Sequence, residues 1–171
     1  YVNQLWVCDI TYIYTIDDMF CYLHLVTDAF SRMIIGYVLS PTLEARYTIE
    51  ALQQAIAYAG RGNLCGTIHH SDRGVQYYCD SYTLLLKAHH IRISMTEDSN
   101  PTDNGLAERV NGIIKNEFLE PLPTPRTLQE AWPLVDHAVH TYNTLRPHTS
   151  LGMRTPAQVY EVNNHFQKLE V

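Results

Sequence analysis

The sequence has no C-x-x-C pair: its four cysteines, Cys8, Cys21, Cys65 and Cys79, are scattered along the chain. That spacing supports neither a disulfide framework nor a zinc site, and it suits a reducing compartment. Cys8 and Cys21 sit in apolar stretches, where a thiol acts as a small hydrophobe. No apolar run approaches the ~20 residues that span a bilayer, and no signal peptide opens the chain, so a cytoplasmic protein without membrane partners is expected. An initiator methionine is missing, and the first residues read as strand, as they would in a fragment or excised domain. Positive charge is scarce. Twelve Lys and Arg face 18 Asp and Glu, for a net charge of −6. Phosphate neutralisation supplies most non-specific affinity for nucleic acid. A DNA-handling role would therefore need a local basic patch, cations in an acidic site, or another domain. Alone, such a chain should bind DNA weakly and with little sequence preference.

What is present suits one domain: 171 residues, 46% of them hydrophobic, are enough to bury a core without staples. "LWVCDITYIY" (5–14) is apolar on both alternating faces, as in a central strand covered on each side. "FCYLHLVTDAF" and "RMIIGYVLS" add two strands around a turn at Asp28 to Arg32, which suggests an antiparallel meander. Pro41 and Thr42 open a helical stretch that Gly60 and Gly62 end. A short strand "GTIHHSD", a helix over "QYYCDSYTLLLKAHH", a strand "IRISM", and helices near 104–120 and 128–145 complete the order βββαβαβαα. Thr127-x-x-Glu130 matches a capping box for the last helix, and Pro133 should bend it or shift its start. A mixed five-stranded α/β sheet flanked by helices is predicted.

Three acids stand out. Asp9 lies in a strand apolar on both sides, where an unpaired carboxylate must be neutralised, paired or bound to metal. A salt bridge explains it as well as a function does. Asp72, in "HHSDRGVQY", follows the fourth strand, and sites gather at strand ends in α/β sheets. By itself it is better explained as turn chemistry. Glu108 lies nearly opposite the apolar stripe Leu106, Val110, Ile113, Ile114 and Phe118 of its helix. Lys115 returns to within about 20° of it, with Gly112 between them on the same side. Taken alone, that face is an ordinary solvated one. Glu117 falls on the apolar side and reads as a structural acid, Asp103 and Asn104 as caps, and Glu97 and Asp98 as loop charges. Converging carboxylates of this kind can hold two Mg²⁺ or Mn²⁺ ions for in-line phosphoryl displacement. His69 and His70, adjacent on a strand, point to opposite faces and cannot easily share a metal, although His70 shares a face with Asp72.

Four blocks, "LWVCDITYI", "HHSDRGVQY", "DNGLAERVNGIIKNE" and "YNTLRPHTSLGMRTP", resemble in order and spacing the catalytic core of bacterial insertion-sequence transposases. These are DDE enzymes of the insertion-sequence-three type, related to retroviral integrases. Thirty-five residues separate Asp72 from Glu108, the spacing of that group, and Lys115 stands where the group carries Lys or Arg. The resemblance covers nearly the whole chain and reverses the balance at Glu108. It implies an RNase H-like fold over residues 1–171, without the N-terminal helix-turn-helix region of such transposases. Asp9, Asp72 and Glu108 would bind two Mg²⁺ or Mn²⁺ ions. A strand would be cleaved at the element's end, and its 3′-hydroxyl would then attack a phosphodiester. Lys115 would contact DNA, and Arg73 and Arg109 could form a basic rim beside the acids. Element ends and target DNA would be the partners, handled by a homodimer or larger assembly. In the C-terminal block, Tyr142, Asn143, Arg146 and His148 suit packing more than catalysis, with Pro147 stopping the helix. Two alternatives remain: an RNase H-like or resolvase-type nuclease that only hydrolyses, and a non-catalytic DNA-binding or assembly module. A tyrosine recombinase would need a cluster of Arg and His around a Tyr, and none is evident.

Overall fold

The computed structural model of the chain describes residues 1–60, 64–96 and 105–169. Its strands are β1 (Leu5–Thr15), β2 (Met19–Asp28), β3 (Ile34–Ser40), β4 (Ile68–Ser71) and β5 (Arg92–Met95), in the sheet order β3-β2-β1-β4-β5. The first three form the expected antiparallel meander, and β4 and β5 add in parallel on the other side of β1. Parallel neighbours need crossovers. Helix α1 (Ala45–Ala59) makes the first, and α2 (Val75–Tyr78) with α3 (Asp80–Ala88) makes the second. Helix α1 starts three residues later than Thr42, and Gly60 at φ 82 caps its end.

The single helix expected over 76–90 is broken at Cys79, an extended residue with φ −63 and ψ 146. In an unbroken helix Tyr77 and Tyr82 would diverge by about 140°. The break lets both rings enter the core, 5.5 Å apart and edge to face.

Helices α4 (Gly105–Ile113) and α5 (Leu128–Thr144) lie close to expectation, and α4 continues as a π-helical turn over Ile114–Leu119. At the start of α5, Thr127 accepts from the Glu130 N–H at 3.4 Å, while the Glu130 carboxylate reaches back to the Arg126 N–H at 2.8 Å. Pro133 does not shift that start. The Thr127 cap and Asp18, which accepts from the Leu128 N–H at 2.8 Å, hold the first turn. Helix α6 (Pro156–Leu169) was not anticipated. Its signal was a capping pair: Thr155 N–H donates to Gln158 Oε1 at 3.0 Å and Gln158 N–H to Thr155 Oγ1 at 3.3 Å.

The sheet buries a core on each face. Trp6, Cys8 and Val26 pack under α1, α3 and α6, while Leu23, Leu25 and Ile34 pack under α4 and α5. The double covering of β1 read from its sequence is therefore real. At Gly36 the backbone of α1 comes so close that a Cβ would overlap Ala51 O and stand 2.9 Å from Ala55 N. Among the described residues no helix is long and apolar enough to cross a membrane. Gly62, Glu97, Asp98, Asp103 and Asn104 lie outside the described residues.

Candidate active site

Because β1 and β4 are parallel with Cys8 opposite Ser71, the next residues, Asp9 and Asp72, stand side by side where β4 ends. Asp9 turns toward α4: Asn111 Nδ2 donates to Asp9 Oδ2 at 2.7 Å. Glu108 sits about one turn earlier on that helix. Burial pushes the Asp9 carboxyl up to about 6. The negative charges of Asp72 and Glu108 push the same way, and hydrogen bonds from the Ile10 backbone and Asn111 oppose them. The middle of β1, the end of β4 and a helix thus bring Asp72 and Glu108 within electrostatic reach of Asp9.

Asp72 keeps its turn role as well, since its Oδ1 accepts from the Gly74 N–H at 2.9 Å. Its turn chemistry and its nearness to Asp9 coexist. Among the described residues no three His, Cys, Asp or Glu side chains close into a ready-made cation cage. Like charges resist such a cage until a cation is present. The donor set itself suits Mg²⁺ or Mn²⁺, being made of carboxylate oxygens with a like-charge excess around Asp9.

The cations expected nearby are spread out. Glu108 and Arg109 line a cavity of about 600 Å³ together with Arg32, Tyr142 and His148. Lys115 lies in the π-helical turn and lines another cavity, of about 370 Å³, against Tyr12, Tyr14 and Leu119. Between Glu108 and Lys115, a Cβ on Gly112 would meet nothing within 4 Å, so that face of α4 is open. Arg73 is tied to the end of β5, where its Nε donates to the Thr96 carbonyl at 2.7 Å.

His69 and His70 point apart, as expected. His69 is buried and bonds to the Tyr82 hydroxyl at 2.7 Å, and His70 bonds to Ser94 Oγ at 2.9 Å. Glu117 forms a bidentate pair with Arg146, both contacts at 2.7 Å, which is the structural role its position suggested. The C-terminal block braces the meander. Asn143 accepts from the Ile34 N–H at 3.0 Å and donates to the Ile34 carbonyl at 2.8 Å, while the Tyr142 hydroxyl donates to the Arg32 carbonyl at 3.0 Å.

Sequence reasoning missed Asn111 by grouping it with the polar face of α4. It is buried at 6% exposure, and its position three residues after Glu108 was the available signal. Arg32 was missed too, because its turn is far from α4 in the chain.

The raised Asp9 carboxyl has a consequence for stability. A folded value near 6 against an ordinary 3.8 means the native state holds more protons between those pH values, so stability falls as pH rises through that window. Asp9→Asn is expected to stabilise the metal-free chain at pH 7, by on the order of 3 kcal/mol at most. The gain should vanish below about pH 4. Urea melts of both chains at pH 4 and 7 check this, and an equal gain at both would refute the electrostatic account.

The chain matches models of the integrase core domain over residues 1–101 and again over 89–156. It is 38% identical over 117 residues to the transposase of insertion sequence element IS629 from Shigella sonnei, covering 68% of this chain and 38% of that protein. It is 33% identical over 162 residues to the transposase InsF of IS3A from Escherichia coli K12, covering 94% of this chain and 55% of that one. The chain therefore spans about half the length or less of these curated relatives. Among solved structures, the HTLV-2 integrase catalytic core in complex with magnesium superposes with a TM-score of 0.69 at 26% identity, over 92% of this chain and 96% of that one. A chain of the simian T-cell lymphotropic virus intasome in complex with PP2A regulatory subunit B56 gamma superposes at a TM-score of 0.75 and 26% identity, over 92% of this chain and 54% of that one. With its mixed five-stranded sheet, the chain belongs to the integrase core family, in its RNase H-like fold and beside the transposases of bacterial insertion sequences.

Proposed function

We propose that this chain is the catalytic core of a DNA transposase that cleaves a strand at an element's end and joins the freed 3′-hydroxyl to a phosphodiester. The observation that supports the reading is that Asp72, at the end of β4, and Glu108, on α4, both act electrostatically on the partly buried Asp9 carboxylate of β1. These residues would hold two divalent cations, Mg²⁺ or Mn²⁺. Such ions activate the attacking oxygen and stabilise the leaving oxygen of an in-line displacement.

The chain's own residues set up the rest. Asn111 holds Asp9 Oδ2 toward α4, which orients that carboxylate toward Glu108. The Gly74 N–H fixes Asp72 through one oxygen. The open face at Gly112 lets a DNA backbone approach α4 between Glu108 and Lys115, and Lys115 would neutralise a phosphate there. Arg109, and Arg73 at the edge of β5, would add positive charge beside the acids. In each step the attacking oxygen, of water or of the 3′-hydroxyl, forms a bond to phosphorus. The displaced 3′-oxygen leaves with the bonding electrons. The partners are element ends and target DNA, handled by two or more copies of the chain in the bacterial cytoplasm. Residues 1–171 act as one core domain in this scheme, with recognition of the element ends assigned to a separate helix-turn-helix region.

A crystal structure in Mn²⁺ tests the metal assignment. Anomalous density is expected between Asp9, Asp72 and Glu108. Manganese bound elsewhere, with these three residues empty at saturating metal, would remove the mechanism.

A further inference from the structure

A chain of net charge −6 that handles DNA must concentrate its few cations. Three arginines are spent within the fold: Arg46 on Glu44, Arg126 on Asp17 and Arg146 on Glu117. Arg32 and Arg109 enter no salt bridge among the described residues, yet both line the same cavity of about 600 Å³ that reaches Glu108. They come from distant parts of the chain, Arg32 from the β2–β3 turn and Arg109 from α4. Two arginines against one carboxylate, Glu108, leave the charged lining of that cavity net positive, which favours an anion there.

The position of Arg32 is built. Its backbone is left-handed, at φ 66, a conformation that glycine takes freely and arginine takes at a steric cost. Both of its main-chain polar groups are held there: its N–H donates to the Asp28 carbonyl at 2.9 Å, and its carbonyl accepts from the Tyr142 hydroxyl at 3.0 Å. Asp28 is itself buried and bonded to the N–H groups of Asn3 and Ser31 at 2.7 and 2.8 Å. Arg109 lies about 100° round α4 from Glu108, and Lys115, in the π-helical turn, lines the other cavity, of about 370 Å³. The groove is therefore on a different flank of Glu108 from the Lys115 face.

We propose that this groove, between α4 and the C-terminal end of α5, is a second DNA path, gripping a phosphodiester backbone through Arg32 and Arg109. Guanidinium forks match phosphate oxygens bidentately, and contacts of this kind position a backbone without reading its sequence. Strand joining needs two DNA segments at one set of acids, and grooves on two flanks of Glu108 provide for both. The proposal rests on the reading of the chain as a DNA-handling core.

Binding of a short duplex of arbitrary sequence, measured without divalent metal over a range of salt, tests the groove apart from the chemistry. Wild type should bind weakly, with affinity falling as salt rises. Arg32→Gln and Arg109→Gln should each lower the salt slope by about 1 and weaken binding several-fold at low salt. Arg32→Gly should do the same while folding at least as well, because glycine relieves the left-handed strain, so a folding defect cannot mimic the result. Arg32→Lys should recover most of the slope. Lys87→Gln, which removes an exposed charge from α3 on the other face of the sheet, should leave the slope unchanged. An unaltered slope in Arg32→Gln and Arg32→Gly, or an equal drop in Lys87→Gln, overturns the groove and leaves the proposed chemistry standing. Wild type that binds no DNA even at low salt overturns both.

Discussion

Glu108→Gln is expected to abolish Mg²⁺-dependent strand transfer, a loss on the order of a thousandfold or more, while the chain keeps its fold. The amide preserves the shape of the carboxylate and removes the negative charge that would hold a cation. Glu108 is exposed, and its side chain makes no hydrogen bond or salt bridge among the described residues, so little folding energy depends on it. A surface change of this kind shifts stability by only about 0.5 kcal/mol. The assay joins a pre-cleaved DNA end to a target duplex, with a urea melt run in parallel. Full activity in the variant would sink the assignment of the three acids. Hydrolysis without joining in the wild type would favour the nuclease alternative, and an inactive wild type in a complete assembly would favour the non-catalytic module.

Gly36→Val should be the most damaging single change to the fold. A Cβ at this point of β3 would overlap the Ala51 carbonyl and stand 2.9 Å from Ala55 N, both of them backbone atoms of α1. A flexible side chain could move aside; a helix backbone cannot, so α1 must lift from the sheet. That movement opens the core that Ala51, Leu52 and Ala55 fill beneath it. A loss of about 4 kcal/mol or more is expected, a large part of the stability of a domain this size. Denaturant melts of Gly36→Ala and Gly36→Val check it: both should fall, the valine further. Near-native stability in the valine chain would mean that α1 does not sit this close to β3.

The same contact shows what a sequence hides. Gly36 sits in "RMIIGYVLS" like any strand glycine, and only the approach of α1 explains why a side chain is excluded there. Asn111 is a similar case. Helical angles place it beside Glu108 on a polar face, but its burial and its bond to Asp9 depend on how α4 lies across β1. The break at Cys79 was also invisible, because local propensity favours one helix through "QYYCDSYTLLLKAHH". The need to bury Tyr77 and Tyr82 in one cluster outweighed it. Helix α6 is different: its capping pair, Thr155 with Gln158, and the proline at its first position are local signals written in the sequence.

The amino-acid sequence alone determined the succession of strands, the doubly covered central strand, the structural role of Glu117 and the three acids worth testing. Alternation along a strand and periodicity along a helix are local properties, written in neighbouring residues. Tertiary structure decided that Asp72 stands beside Asp9, that Asn111 reaches the same carboxylate, and that Arg32 and Arg109 line one groove with Glu108. Those outcomes depend on strand order and helix placement, which join residues dozens of positions apart. Electrostatic coupling falls with distance in space and takes no account of separation along the chain.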